Sequence, residues 1–518
     1  MEHSEHQTDA TLQAQRPAFV EEFAIEGLYG YRSVSLKSKF AATVLIAPNG
    51  AGKTTLLAAL DAFLKGQFTR FAELEFESIT CKLRGNRYPL QITKKEIDGL
   101  TDFAENSEVG LRAKAWEIEP LALMELIELD VSKKSHMELL DNQAFAAIYS
   151  KLGYNSETAK KQCASLARTV DSVFPKLAAV RESLRATLQS TEILYLPTYR
   201  RIELSLPDVD SRRERRKTIL ARLGIARSGL YTADRQFGLS DISERLRALY
   251  SEIRHRSNQG YGKISANVIN DLISGDYKTV SQGEHAKPDR ESLDLFFERI
   301  KDLEHDYRRG PYNSFFSSPD LNRVFQGDVP EDAKPFLNYF LAQLSSVIQN
   351  TRRSENLVED FIASCNRYLS SDKDIVPAGL RSSVNSDDKL LRLNRKNLAI
   401  SVTSSSTGRD VPIESLSSGE KQMISLFSRL YLYPGPKIVL IDEPELSLSL
   451  GWQRQILPDV LKAPTCTQVI AITHSPFIFD NELEPFAGSL KLKITQAQNP
   501  KVAQDPPLDG YGGEASDE

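Results

Sequence analysis

The chain has 518 residues, 41% of them hydrophobic, enough for a large core and for two domains or one domain with a long insert. Its 65 Lys and Arg against 70 Asp and Glu give a net charge of −5, so bulk charge offers nucleic acid no general attraction. No run of about 18 apolar residues occurs. Residues 1–18 are polar, so neither a membrane span nor a signal peptide is expected and the chain is predicted to be cytoplasmic. The four cysteines, Cys81, Cys163, Cys365 and Cys466, lack CxxC spacing and are expected to be small buried hydrophobes.

Residues 1–18 are expected to be disordered, and 19–100 to form the first part of a head domain. There Thr43–Ile46 is a short apolar run of strand type, APNGAGKTT follows, and Leu56–Leu64 has helical spacing. Strand, glycine-rich loop and helix in that order make a phosphate-binding loop. The predicted cradle is Asn49, Gly50, Ala51, Gly52, Lys53, Thr54 and Thr55, with Ala47 where the first glycine is usual. Gly50 and Gly52 let N–H groups turn towards phosphate, Lys53 reaches the β- and γ-phosphates of ATP, and Thr54 ligates Mg²⁺. A hairpin, Glu77–Leu83 and Tyr88–Thr93 around Gly85-Asn86, closes this part.

Residues 101–389 are predicted to be a mostly helical insertion with a head strand near 192–198. Leu166, Val170, Val173, Leu177, Val180, Leu184 and Leu188 form a heptad-like stripe, but it is short and Pro175 interrupts it, which favours a packed arm over a long coiled coil. Residues 200–256 are rich in Lys and Arg, with Arg212, Arg213, Arg215, Arg216 and Lys217 nearly contiguous; nucleic acid, an acidic partner or plain solvent could face them. Glu291–Tyr307 and Pro335–Ser370 are amphipathic, with a loop-like stretch, Gly310–Asp332, between them.

Residues 390–485 complete the head: a hairpin over Leu398–Ile413, then LSSGEKQ before a helix-compatible run, then two apolar strands. Ile438–Ile441 delivers Asp442 and Glu443 to a strand end, where Asp442 is predicted to hold Mg²⁺ and Glu443 to activate water. Gln468–Ile472 ends in Thr473 and His474, a candidate γ-phosphate sensor. Residues 486–518 are expected to be a disordered tail. His136, His255, His285 and His305 are scattered without metal-ligand spacing, so no nuclease domain is expected.

Ser417, Ser418, Gly419 and Glu420 form a second anion site at a helix N-terminus, which one subunit does not need for one nucleotide. With that turn the chain resembles the ABC-type ATPases, α/β P-loop heads with a mixed sheet flanked by helices. The resemblance implies a homodimer closed head-to-tail, each signature turn contacting the ATP of the opposite subunit. Phe23–Leu36, with Tyr31 and Arg32, is similar to the N-terminal strand pair of RecF and SMC-like heads. Usually a Gln follows the returning strand of such heads and contacts Mg²⁺; Thr198–Arg201 stand there instead. YLPTYRRIE, FIASCNRYL, SGEKQMISLFSRLYL, IDEPELSLSLGWQ and ITHSPFIFDNEL resemble the PtuA-type ATPases of Septu and retron-associated anti-phage systems. That likeness implies a separate PtuB-like HNH endonuclease subunit and, in the retron systems, a reverse transcriptase with its msDNA. The alternative is a RecF/SMC-like repair ATPase that binds DNA directly.

Overall fold

The computed structural model describes residues 10–48, 50–132, 134, 136–140, 142–197, 230, 239–275, 288–307, 319–326, 328–369, 388–446 and 448–494. Strand β1 (Val20–Leu28) turns back into β2 (Arg32–Lys37), and β3 (Ala42–Ile46) runs into the glycine loop and helix α1 (Lys53–Leu64). Strands β4 (Ser78–Leu83) and β5 (Leu90–Thr93) pair with each other and, through β4, with β1. In β1, Phe23 and Ile25 are buried and, past an irregularity in the pairing, so is Leu28, while their neighbours are less so, the half-buried pattern of an antiparallel sheet.

Seven helices follow: α2 (Lys94–Asn106), α3 (Glu108–Ala115), α4 (Pro120–Glu128), α5 (His136–Leu140), α6 (Gln143–Lys151), α7 (Ser156–Val173) and α8 (Pro175–Leu188). The chain breaks at Phe174 because Pro175 has no N–H to continue α7, and Pro175 instead opens α8. Of the heptad-like stripe only Val173, 48% exposed, points away; the other six side chains are buried against the head.

Strand β6 (Glu192–Leu196) returns to the head, and α9 (Leu239–Ser274), α10 (Arg290–Tyr307), α11 (Leu321–Gln326) and α12 (Lys334–Leu369) follow. Helices α9 and α12 have 36 residues each, about 54 Å at 1.5 Å per residue. They pack so closely that a Cβ on Gly260 would sit 2.5 Å from Val347 Cγ1, which is why glycine is needed there. At this place α10 adds Leu293, Phe296, Phe297 and Ile300 to a small separate core.

The rest of the head is β7 (Lys389–Asn394), β8 (Ala399–Ser404), β9 (Asp410–Val411), α13 (Ser418–Tyr431), β10 (Lys437–Asp442), α14 (Leu450–Lys462), β11 (Cys466–Thr473), β12 (Ala487–Ser489) and β13 (Lys491–Ile494). Strands β7, β8 and β9 make a three-stranded antiparallel sheet, and β13 extends the β1 sheet beside β2. The central sheet is parallel, in the order β12-β3-β11-β10-β6. Its residues alternate between two cores: Leu45, Ile438, Leu440, Ile470 and Ile472 face α1, whereas Val44, Val439, Ile441, Val469 and Ala471 face α13 and α14. Both faces are covered, so Ile438–Ile441 reads as an unbroken apolar run. Each such side chain contributes about 1.5–3 kcal/mol by leaving water. Gln468, fully buried in β11, accepts the N–H groups of Phe19 and Val20 at 2.9 and 2.8 Å and donates to the Val20 carbonyl, tying the two larger sheets together.

Three expectations need correction. Residues 10–14 are helical with Ala10 and Ala14 buried, so disorder does not extend through 1–18. The tail expected from 486 begins with two strands, held by backbone pairing to β3 and β2. Helix α11 lies within the stretch read as a loop. Of residues 200–256, the run Arg212–Lys217 lies outside the described residues, as do Thr198–Arg201 and Asn49. All four cysteines are buried, and burial pushes the thiols of Cys163 and Cys466 up to about 11 and about 12. Among the described residues no helix is long and apolar enough to cross a membrane.

Candidate functional site

The carboxyl ends of β3, β10 and β11 lie side by side, and each delivers polar side chains to one place. From β3 comes the loop. Gly50 and Gly52 have φ of 80° and 84°, a region that a side chain disfavours; a Cβ on either would meet no close contact, so backbone conformation, not space, requires glycine. Gly52 is the N-cap of α1 and no side chain caps that end, which leaves the role of anion partner to a ligand. Arg32 Nη1 donates to the Gly50 carbonyl at 2.8 Å, and its guanidinium stacks on Tyr29 and Tyr31, with ring centroids 5.0 and 5.4 Å away.

From β10 come the two carboxylates. Thr54 Oγ1 donates to Asp442 Oδ2 at 2.6 Å, and Lys53 Nζ pairs with Glu443 Oε1 at 2.8 Å. Lys53 is 6% exposed and Asp442 is fully buried, so these contacts are made largely out of water and are strengthened for that reason. Glu443 adopts φ of 52°, unusual for a residue with a side chain, and its N–H is held by the Ile472 carbonyl at 2.8 Å. Such strain gathers at functional sites. The Thr54 hydroxyl and Asp442 carboxylate are hard oxygens, the donor type Mg²⁺ takes when phosphate and water complete its shell, so the residues present fit that ion.

From β11 comes His474, whose Nδ1 lies 3.7 Å from Glu443 Oε1 and 2.9 Å from Glu445 Oε1. Lys53, Thr54, Asp442, Glu443 and His474 are thus brought together. Gly50, Ala51, Gly52 and Thr55 belong to the loop and the first turn of α1 around them.

The turn Ser417–Glu420 is not drawn into this group of contacts. Ser417 caps α13, accepting from the Glu420 N–H at 3.3 Å, while Glu420 Oε2 accepts from the Ser417 N–H at 2.7 Å and from Lys389 Nζ at 2.9 Å. Glu420 therefore has a structural task not foreseen from the sequence, although Ser-x-x-Glu before an apolar run is a helix-start signal. Ser417 and Ser418 are exposed, and Gly419 is buried. Glu445 was also missed; a carboxylate inside a loop has no periodicity to mark it.

Helices α13 and α14 are joined through α12. Tyr368 Oη and Arg367 Nη1 both donate to the Asp459 carboxylate at 2.9 Å, and Ser364 Oγ donates to Tyr431 Oη at 3.2 Å. Burial raises Asp459 above the ordinary carboxylate range against the pull of Arg367, and raises both tyrosine hydroxyls. The long helix of the insertion is thus anchored to both elements that flank β10.

No curated protein matches this chain. Residues 181–480 match the protein family described as "AAA domain, putative AbiEii toxin, Type IV TA system", a span that holds β6, the Ser417–Glu420 turn, the carboxylates of β10 and His474, and begins after the glycine loop. Covering more than half of the chain, the match shows that the protein belongs to this family of P-loop ATPases.

Proposed function

We propose that the protein is an ATPase of ABC type that closes as a homodimer over two ATP molecules and regulates a separate effector in anti-phage defence. The observation that carries this reading is the convergence of Lys53 and Thr54 with Glu443 and Asp442 at 2.8 and 2.6 Å. Phosphate entering the loop takes Lys53 from Glu443, and the freed carboxylate orients and deprotonates the attacking water. Thr54 and Asp442 would hold Mg²⁺, which would supply charge neutralisation at the phosphates. His474 contacts the γ-phosphate. The exposed hydroxyls of Ser417 and Ser418 suit a phosphate brought by a second copy, since Ser417 keeps its O–H donor after accepting the cap bond.

The anti-phage role rests on the likeness to PtuA-type ATPases and agrees with a family named for a toxin of toxin–antitoxin systems. The effector in this reading is an HNH endonuclease subunit, accompanied in a retron system by reverse transcriptase and msDNA. Affinity purification from the native host tests it: an HNH protein, with or without reverse transcriptase and msDNA, is expected. ATP-dependent binding of DNA by the purified protein in gel shifts at several salt concentrations, with no nuclease partner, would favour the RecF/SMC-like alternative. Phosphate release by wild type but not by Glu443→Gln tests the chemistry directly.

A further inference from the structure

We infer that Glu445 is a positioning residue for hydrolysis, locking His474 against the β10 loop so that its Nε2 faces the γ-phosphate. This deepens the ATPase reading above and rests on it. Glu445 lies three residues beyond Asp442, is 6% exposed, and gathers three donors onto one carboxylate. Its Oε2 accepts from Thr473 Oγ1 at 2.8 Å; its Oε1 accepts from the His474 N–H at 3.0 Å and faces His474 Nδ1 at 2.9 Å.

An ionised carboxylate only accepts, so Nδ1 must carry a proton and Nε2 is the ring atom left for the nucleotide. The His474 side chain is 48% exposed, so without this contact its ring would turn freely. The loop that carries Glu445 is itself fastened. Gln453 Nε2 donates to the Leu448 carbonyl at 3.1 Å, Ser475 Oγ donates to Gln453 Oε1 at 2.9 Å, and the Ser475 N–H reaches Thr473 Oγ1 at 2.9 Å. A closed ring of contacts thus runs from the loop after β10, through α14, to the end of β11 and back, and sets His474 3.7 Å from Glu443. A purely scaffolding Glu445 would need only the Thr473 and backbone bonds; the third contact, to the ring, is what makes it act through His474.

The test is a double-mutant cycle in ATP hydrolysis, with Mg²⁺ present, across wild type, Glu445→Ala, His474→Ala and the double variant. Glu445→Ala is expected to lower kcat at least roughly tenfold with KM for ATP held within about threefold, because the lost contact acts in the transition state. The double variant is expected to be no slower than His474→Ala. Wild-type kcat in Glu445→Ala, or a double variant slowed by the full product of the two single losses, overturns the inference. Should thermal melts show Glu445→Ala unfolded, Glu445→Gln, which keeps the size of the side chain, enters the same cycle with the same requirement of non-additivity. Wild-type hydrolysis that is indifferent to Glu443→Gln would instead count against the ATPase reading itself.

Discussion

Two helix N-termini in this head, those of α1 and α13, are finished differently. Helix α1 begins at Gly52 with no side chain across its first N–H groups, while α13 begins at Ser417 inside a reciprocal cap with Glu420. The difference separates a primary site from a secondary one. The first end depends on a ligand to satisfy it, and its lysine waits in an ion pair that phosphate can replace. The second is capped within the chain and offers exposed hydroxyls, which in the proposed dimer would meet the ATP of another copy.

The sharpest way to break that comparison is at α1. Lys53→Ala removes the cation that draws phosphate in and leaves Glu443 without its ion-pair partner; hydrolysis is expected to fall at least roughly a hundredfold, with fluorescent ATP binding lost. Wild-type nucleotide binding by this variant would end the distinction between the two sites.

Behind the C-terminal end of α1, Glu128 accepts the Thr69 N–H at 3.0 Å with Arg181 3.9 Å away. Burial pushes its carboxyl up from 4.5 to about 7, against the pull of Arg181 and the Thr69 N–H. The folded protein therefore holds this proton more tightly than the unfolded chain. That contribution is fully present below pH 4.5 and is lost as pH rises through about 7. Relative to wild type, Glu128→Gln is expected to gain up to about 3 kcal/mol between pH 5 and pH 8. Urea unfolding at the two pH values reads this, and a pH-independent difference would contradict it.

On the α13 side, Tyr368→Phe strips one bond from the buried Asp459 carboxylate and is expected to cost about 1–3 kcal/mol, seen as a lower urea midpoint. Ser417→Ala should have the smallest effect, about 1 kcal/mol from loss of the cap, in the same measurement. A much larger loss at Ser417 would mean that this turn supports more of the head than its cap.

The site was legible where chemistry and local order coincide. The glycine loop sits between an apolar strand and a helix, and Asp442-Glu443 ends a strand whose unbroken hydrophobicity announces burial on both faces. Tertiary tasks were not legible. Helix α9 contains Gly260 and Gly262, each of which weakens local helix preference by about 1 kcal/mol; its pairing with α12 offsets that. Ala487–Ser489 has little strand propensity and pairs because β3 offers an edge. Glu445 looks like any loop acid until folding brings Thr473 and His474 to it.

The most direct test of the account is the mass of Glu443→Gln in solution, by light scattering, with and without ATP and Mg²⁺. The account predicts the 58.0 kDa monomer without nucleotide and a doubled mass once ATP is bound but not hydrolysed. A protein that binds ATP and stays at 58.0 kDa would contradict the shared site.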